Sequence, residues 1–259
     1  MAQQTADGGG STGNLQIESL RLTAFLAPSA RPGEPTWWAE LTGSQPESRT
    51  SKPARAELQE TGTFEDRSLT LSVQPGRVDW FLTPHPSQFE AGSATEVKSV
   101  GRFPKTLDLF VPLMLRWLNM CPPTIRLAFG AVLLEPVQDK QAGYRRLSDY
   151  LPSIRIDSKG SEDFFYQINR PRKSALAIND FRINRLSKWS VSSFQFVRMA
   201  VGPQFTQSYQ GEKVLACRIE LDVSTPADFL GELPHERLAE IFRELVDLGS
   251  EIALHGDIA

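Results

Sequence analysis

The chain has 259 residues, 40% hydrophobic and 23% charged, with a formal net charge of −3. This is the composition of an ordinary soluble globular protein, long enough for one large domain or two closely packed ones. A pI near 5.7 excludes a protein that coats nucleic acid through global charge and leaves only a local basic patch open.

Residues 1–14 (MAQQTADGGGSTGN) are small, polar and Gly-rich, and are expected to form a disordered tail. Gly8, Gly10 and Gly13 match G-x-G-x-x-G, but no strand precedes them and no helical pattern follows, so a dinucleotide site is not expected. Leu15–Leu26 reads as a strand. A loop rich in Pro and Gly leads to a short apolar stretch at Trp37 and Trp38, and Ser44–Lys52 reads as a polar loop. Leu69, Leu71 and Val73 then alternate with polar residues. Pro75-Gly76 marks a turn, and Val78, Trp80 and Leu82 resume the alternation, so Ser68–Leu82 is predicted to be a hairpin.

Phe103–Met120 has helical apolar spacing (Leu107, Phe110, Val111, Met114, Trp117, Leu118). Pro112 is expected to bend this helix or mark its true start. Ile125–Leu134 reads as a strand and Gln138–Tyr150 as a short helix with a basic face. Asp163–Asn169, Ala175–Asn184 and Trp189–Met199 are candidate strands of an antiparallel meander. Val214–Val223 alternates cleanly, with Leu215, Cys217, Ile219, Leu221 and Val223 on one face. Pro234–Leu254 carries a full apolar stripe and is the best-signalled helix, with Glu236, Glu240, Glu244, Asp247 and Glu251 as a solvated acidic outer face. The expected class is therefore α+β: mainly antiparallel sheet with a few packed helices, in two similar sheet-plus-helix halves, 15–121 and 122–259.

Little in this pattern carries chemistry. His85, His235 and His255 have no metal-ligand spacing. Cys121 and Cys217 lie far apart and read as buried structural thiols in a reducing compartment. No nucleophile elbow or P-loop is present, and no cofactor or metal is expected. No basic residue precedes Arg21 and no apolar stretch is long enough to cross a bilayer, so neither a secretory signal nor membrane insertion is expected and a cytoplasmic location is.

Two features point further. Asp79, with Glu96 and Lys98 downstream, resembles the Asp plus Glu-x-Lys core of restriction-endonuclease-like nucleases. That likeness implies two acids holding Mg²⁺ and a lysine stabilising charge at the phosphate. The stretch from Lys159 to Arg198 has a net charge of +5, whereas Arg218–Asp257 sums to −7. Arg170, Arg172, Lys173, Arg182, Arg185 and Lys188 alternate with Tyr166, Phe181 and Trp189, a combination suited to phosphates and unpaired bases, to an acidic protein, or to the chain's own acidic last helix.

In its last two thirds the chain resembles a sporadically distributed family of uncharacterised bacterial proteins. The likeness rests on the helix with Phe110 and Trp117, the strand Ile125–Gly130, the strand Leu221–Val223 and the closing helix Leu238–Leu248. It departs from the family's R-Y-I-N-like continuation with Val132-Leu133-Leu134-Glu135. The resemblance implies a bacterial cytoplasmic protein and lends no catalytic residues. The leading expectation is a non-enzymatic binding or assembly module of a bacterial multi-component system. It would dock a protein partner on the basic surface of Arg170, Arg172, Lys173, Arg182, Arg185, Lys188 and Trp189. The alternatives are a nucleic-acid-binding protein using the same stretch, and a metal-dependent nuclease using Asp79, Glu96 and Lys98.

Overall fold

The period-two patterning that runs through the chain becomes one large antiparallel sheet in the computed structural model. The structure describes residues 14–30, 35–88, 97–176, 181–202 and 205–257, with the backbone alone for 196–202 and 205–212. The first half contributes β1 (Gln16–Leu26), α1 (Trp37–Thr42), β2 (Ser48–Lys52), β3 (Glu57–Phe64), β4 (Arg67–Gln74), β5 (Arg77–Pro84), the short β6 (Gly101–Arg102) and α2 (Leu107–Leu118). The second contributes β7 (Thr124–Val137), α3 (Lys140–Tyr150), β8 (Phe165–Asn169), the short β9 (Arg172–Lys173), β10 (Arg182–Gly202), β11 (Phe205–Ser224) and α4 (Leu238–His255).

Strand order across the sheet is β2-β3-β4-β5-β1-β7-β11-β10-β8, with β6 beside β1 and β9 beside β10. Each half follows the same plan. A first strand leads through a helix to a run of antiparallel strands, the last long strand returns beside the first, and a helix closes the unit. The first strands, β1 and β7, meet antiparallel at the centre, pairing Leu22 with Phe129 and Arg21 with Gly130. The fold is thus α+β with two alike sheet-plus-helix halves. The sheet passes unbroken through the turn after Cys121, so the halves share one core.

All four described helices pack on one face of this sheet. Trp38 of α1 stacks on Trp80 of β5, whose ring also meets Trp117 of α2 edge-on. Phe129 of β7 meets Phe242 of α4, and Tyr150 of α3 lies against Trp189 of β10. Trp37 and Trp38 are therefore core residues, each worth roughly 1.5–3 kcal/mol of burial or more. Glycines are placed where α3 and α4 press on the sheet. A Cβ on Gly143 would sit 2.8 Å from Val191 Cγ2, and one on Gly249 3.0 Å from Phe129 Cε1.

Three local expectations are corrected. Ser48–Lys52, read as loop, is the edge strand β2; it is exposed throughout and so has no apolar alternation to reveal it. The two candidates Ala175–Asn184 and Trp189–Met199 resolve into the single strand β10, while Ala175 and Leu176 lie in a turn and 177–180 fall outside the described residues. Pro112 lies in the interior of α2 and is not its start, which is Leu107. The Pro75-Gly76 turn is as expected, Gly76 taking the left-handed φ of +72° that favours glycine.

Candidate functional site

The basic stretch divides between the two faces of the sheet because its residues alternate along β10. Ile183, Arg185, Ser187 and Trp189 point to the helices; Asn184, Leu186 and Lys188 point away. On the helix side the arginines meet acids supplied by the end of the chain. Arg170 donates to both Asp257 carboxylate oxygens at 2.5 and 2.7 Å. Arg172 donates to both oxygens of Glu251 at 2.6 and 3.2 Å. Arg185, its side chain 1% exposed, reaches the same Glu251 at 3.4 Å. Burial depresses the Arg185 pKa and the neighbouring Arg172 adds to that effect, with Glu251 opposing both. The hydrogen bonds that Arg170 donates to Asp257 raise the Arg170 pKa.

Glu244 completes this seam by accepting from Ser174 Oγ at 2.7 Å and from the Ala175 amide at 2.6 Å. The acidic outer face of α4 is thus only partly solvated. Trp189 is wholly buried, and its indole N–H donates to Ser187 Oγ at 2.9 Å. It offers no face on which a base could stack. Arg182, exposed, donates to the Pro171 carbonyl, and Lys173 is exposed at the sheet margin.

Of the nuclease set, Asp79 is 3% exposed on β5. Arg77 grips both its oxygens at 2.6 and 2.8 Å, and Thr23 Oγ1 donates at 2.5 Å. A metal there would have to displace a bidentate guanidinium. Lys98 is half-buried and lines a groove with Thr83 and Pro84. Thr83 is four residues further along β5 than Asp79, about 13 Å at the usual strand rise. Glu96 lies outside the described residues. Among the described residues no group of three His, Cys, Asp or Glu side chains could hold a metal ion.

The face of the sheet opposite the described helices holds a different constellation, to which sequence reasoning assigned only Lys188, Asp79 and Lys98. At its centre Gly130 of β7 stands between Arg21 of β1 and Asp222 of β11. Its missing side chain leaves the space that the Arg21 guanidinium fills: a Cβ there would lie 3.1 Å from Arg21 Nε. Arg21 makes one long contact to Asp222 at 3.4 Å, and its Nε is buried without a hydrogen-bond partner. Lys188 faces Glu220 at 3.6 Å, and Arg218 bridges Glu220 and Glu18 at 3.5 and 3.1 Å.

A pocket of about 200 Å³ opens among these groups, with Phe81, Val132 and Leu186 as its apolar lining. Further along the face, Phe25 lies between the guanidinium groups of Arg77 and Arg126 at 5.5 and 5.0 Å. The signal for this surface in the sequence was the charged set alternating with the apolar face of Val214–Val223: Arg218, Glu220 and Asp222.

Chemically the face presents charged and aromatic groups suited to recognition. Around the pocket its charges pair loosely across strands at 3.4–3.6 Å, while Arg218–Glu18 and Arg77–Asp79 are tighter at 3.1 and 2.6 Å. The two thiols are buried elsewhere, and burial pushes Cys121 up to about 11 and Cys217 up to about 12. The sequence matches no model of a known protein family. No curated protein matches it either. Among the described residues no helix is long and apolar enough to cross a membrane.

Proposed function

We propose that the chain is a non-enzymatic binding or assembly module of a bacterial, cytoplasmic multi-component system. Its partner is a protein, and the docking surface is the face of the sheet opposite the four described helices, around Arg21, Lys188, Glu220 and Asp222. The observation that carries this reading is the contrast between the two faces. On the helix side Arg170, Arg172 and Arg185 are held by Asp257 and Glu251, whereas on the open side ion pairs of 3.4–3.6 Å line a pocket that no described helix covers. Loose pairs of both signs suit a protein surface of mixed charge, because they can re-pair across an interface and set its register. They suit nucleic acid poorly, since every phosphate brought to the face would meet Glu18, Glu220 or Asp222 as well as the cations.

The test is site-specific photo-cross-linking in the cells that make the protein. A cross-linker at Leu186, on the open face, is expected to trap one defined protein, and Lys188→Glu is expected to abolish that product. A cross-linker at Glu236, exposed on the helix side, is expected to trap nothing specific. Trapping of the same protein from Glu236 but not from Leu186, or recovery of nucleic acid alone, would overturn the assignment.

A further inference from the structure

The two edges of the sheet are protected very differently. The β2 edge carries Arg49 and Lys52 and is exposed along its whole length, the usual guard against strand addition. On the opposite edge the β8 part, Phe165-Tyr166-Gln167-Ile168-Asn169, holds no charge and Phe165 is 61% exposed, while beyond Pro171 the same edge continues as β9 with Arg172 and Lys173.

Which backbone groups of β8 face outward follows from its register. β8 pairs antiparallel with β10, Gln167 opposite Lys188. The Arg170 amide donates to the Arg185 carbonyl, two residues beyond the Ser187 position on β10 and two beyond Ile168 on β8. Hydrogen-bonded pairs alternate along an antiparallel ladder. Tyr166 and Ile168 therefore bond inward, and the N–H and C=O groups of Phe165, Gln167 and Asn169 point out of the sheet.

We infer that this edge pairs with the β8 edge of a second copy of the chain, antiparallel about a two-fold axis through Gln167. The inference rests on edge geometry and stands apart from the open-face proposal. In that register Gln167 meets Gln167 of the second copy, Phe165 meets Asn169 and Tyr166 meets Ile168. On the order of six backbone hydrogen bonds form, and no like charges oppose. The approach to each strand, Glu162 and Asp163, runs beside Arg170 and Arg172 of the other, so no like charges meet at the flanks, those arginines being already held by Asp257 and Glu251. A two-fold pairing needs one surface matched to itself, and this strand is.

The experiment exploits the self-opposition of residue 167, whose exposed side chain can change without touching the core. Mass is measured by light scattering after gel filtration and by native mass spectrometry, on the full chain at about 100 µM, a concentration at which even weak edge pairing is populated. Wild type is expected to be a dimer. Gln167→Glu and Gln167→Lys are each expected to be monomeric with unchanged circular dichroism, because like charges then face each other across the axis. An equimolar mixture of the two is expected to regain a dimer of one copy each, a rescue that misfolding cannot imitate. A wild-type monomer, a dimer indifferent to both substitutions, or a failure of the mixture to pair would overturn the inference.

Discussion

Removing Glu251 tests whether the basic stretch belongs to the fold. Glu251 is the shared acceptor of Arg172 and Arg185, and Arg185 has a side chain only 1% exposed. Glu251→Ala leaves that guanidinium buried with only the more distant Asp257 to offset its charge. Breaking a buried pair from one side costs about 3–5 kcal/mol. Here Glu251 is 29% exposed and its contact to Arg185 is long at 3.4 Å, which places the expected loss nearer 2–3 kcal/mol. For a domain of this length that is a fall in Tm of roughly 4–12 °C. Calorimetry and urea unfolding read it directly.

Two companions isolate the cause. Glu236→Ala, on an exposed position of the same segment, should change stability by less than about 0.5 kcal/mol. Arg185→Met in the Glu251→Ala background should recover most of the loss, because the buried charge goes with its partner. A loss below about 0.5 kcal/mol for Glu251→Ala would refute the reasoning. The arginines would then be solvated, and the basic stretch would again be available to a partner.

Three further outcomes are expected. Cys121 and Cys217, both under 5% exposed with thiols raised to about 11 and about 12, should be inert to a thiol reagent at pH 8 in the native protein and react at the rate of unfolding; fast native labelling would contradict this. Burial raises the carboxyl pKa of Glu60, with Arg49 only partly opposing, so the residue favours folding below its ordinary pKa and opposes it as pH rises above that value. Glu60→Gln should therefore raise Tm at pH 7, with the gain shrinking as pH falls towards 4; a gain that grows on acidification would reverse the sign. Gly256 has a φ of +78°, and a Cβ there would overlap the Tyr150 carbonyl. Gly256→Ala should cost about 2 kcal/mol or more in urea unfolding and loosen the Asp257–Arg170 clamp, and a neutral variant would show that the chain end is not held.

How much of this was legible depended on whether burial left a period in the sequence. The β4–β5 hairpin and β11 announced themselves because each buries one face against helices, and α4 because its stripe Leu238, Ile241, Phe242, Leu245 faces the sheet. β2 buries neither face and showed nothing. β3 sets Glu60 and Gly62 on its buried face, the one opposite Leu71 and the other beneath Trp38, so its alternation was broken where packing was tightest. β10 looked like two strands because Arg185 and Ser187 occupy inward positions that normally hold aliphatic side chains.

The site was harder to see for a related reason. Sequence displays the charge of Arg170, Arg172 and Arg185 but not that Glu251 and Asp257, some 66 to 87 positions away, fold back onto them. Arg21 carried no mark at all. Its role depends on Gly130 lying opposite across β1 and β7, a matter of register and not of composition.

The most direct test compares two paired variants for binding to the protein trapped at Leu186, each measured at a temperature where circular dichroism shows it folded. Arg21→Glu with Lys188→Glu inverts the open face; Arg170→Ala with Arg172→Ala strips the basic stretch. The open-face pair is predicted to weaken binding by at least about tenfold, some 1.4 kcal/mol, while the basic-stretch pair lowers Tm and leaves affinity within about twofold. Undiminished binding by the open-face pair, with loss in the basic-stretch pair, would contradict the account and return the docking site to the arginines.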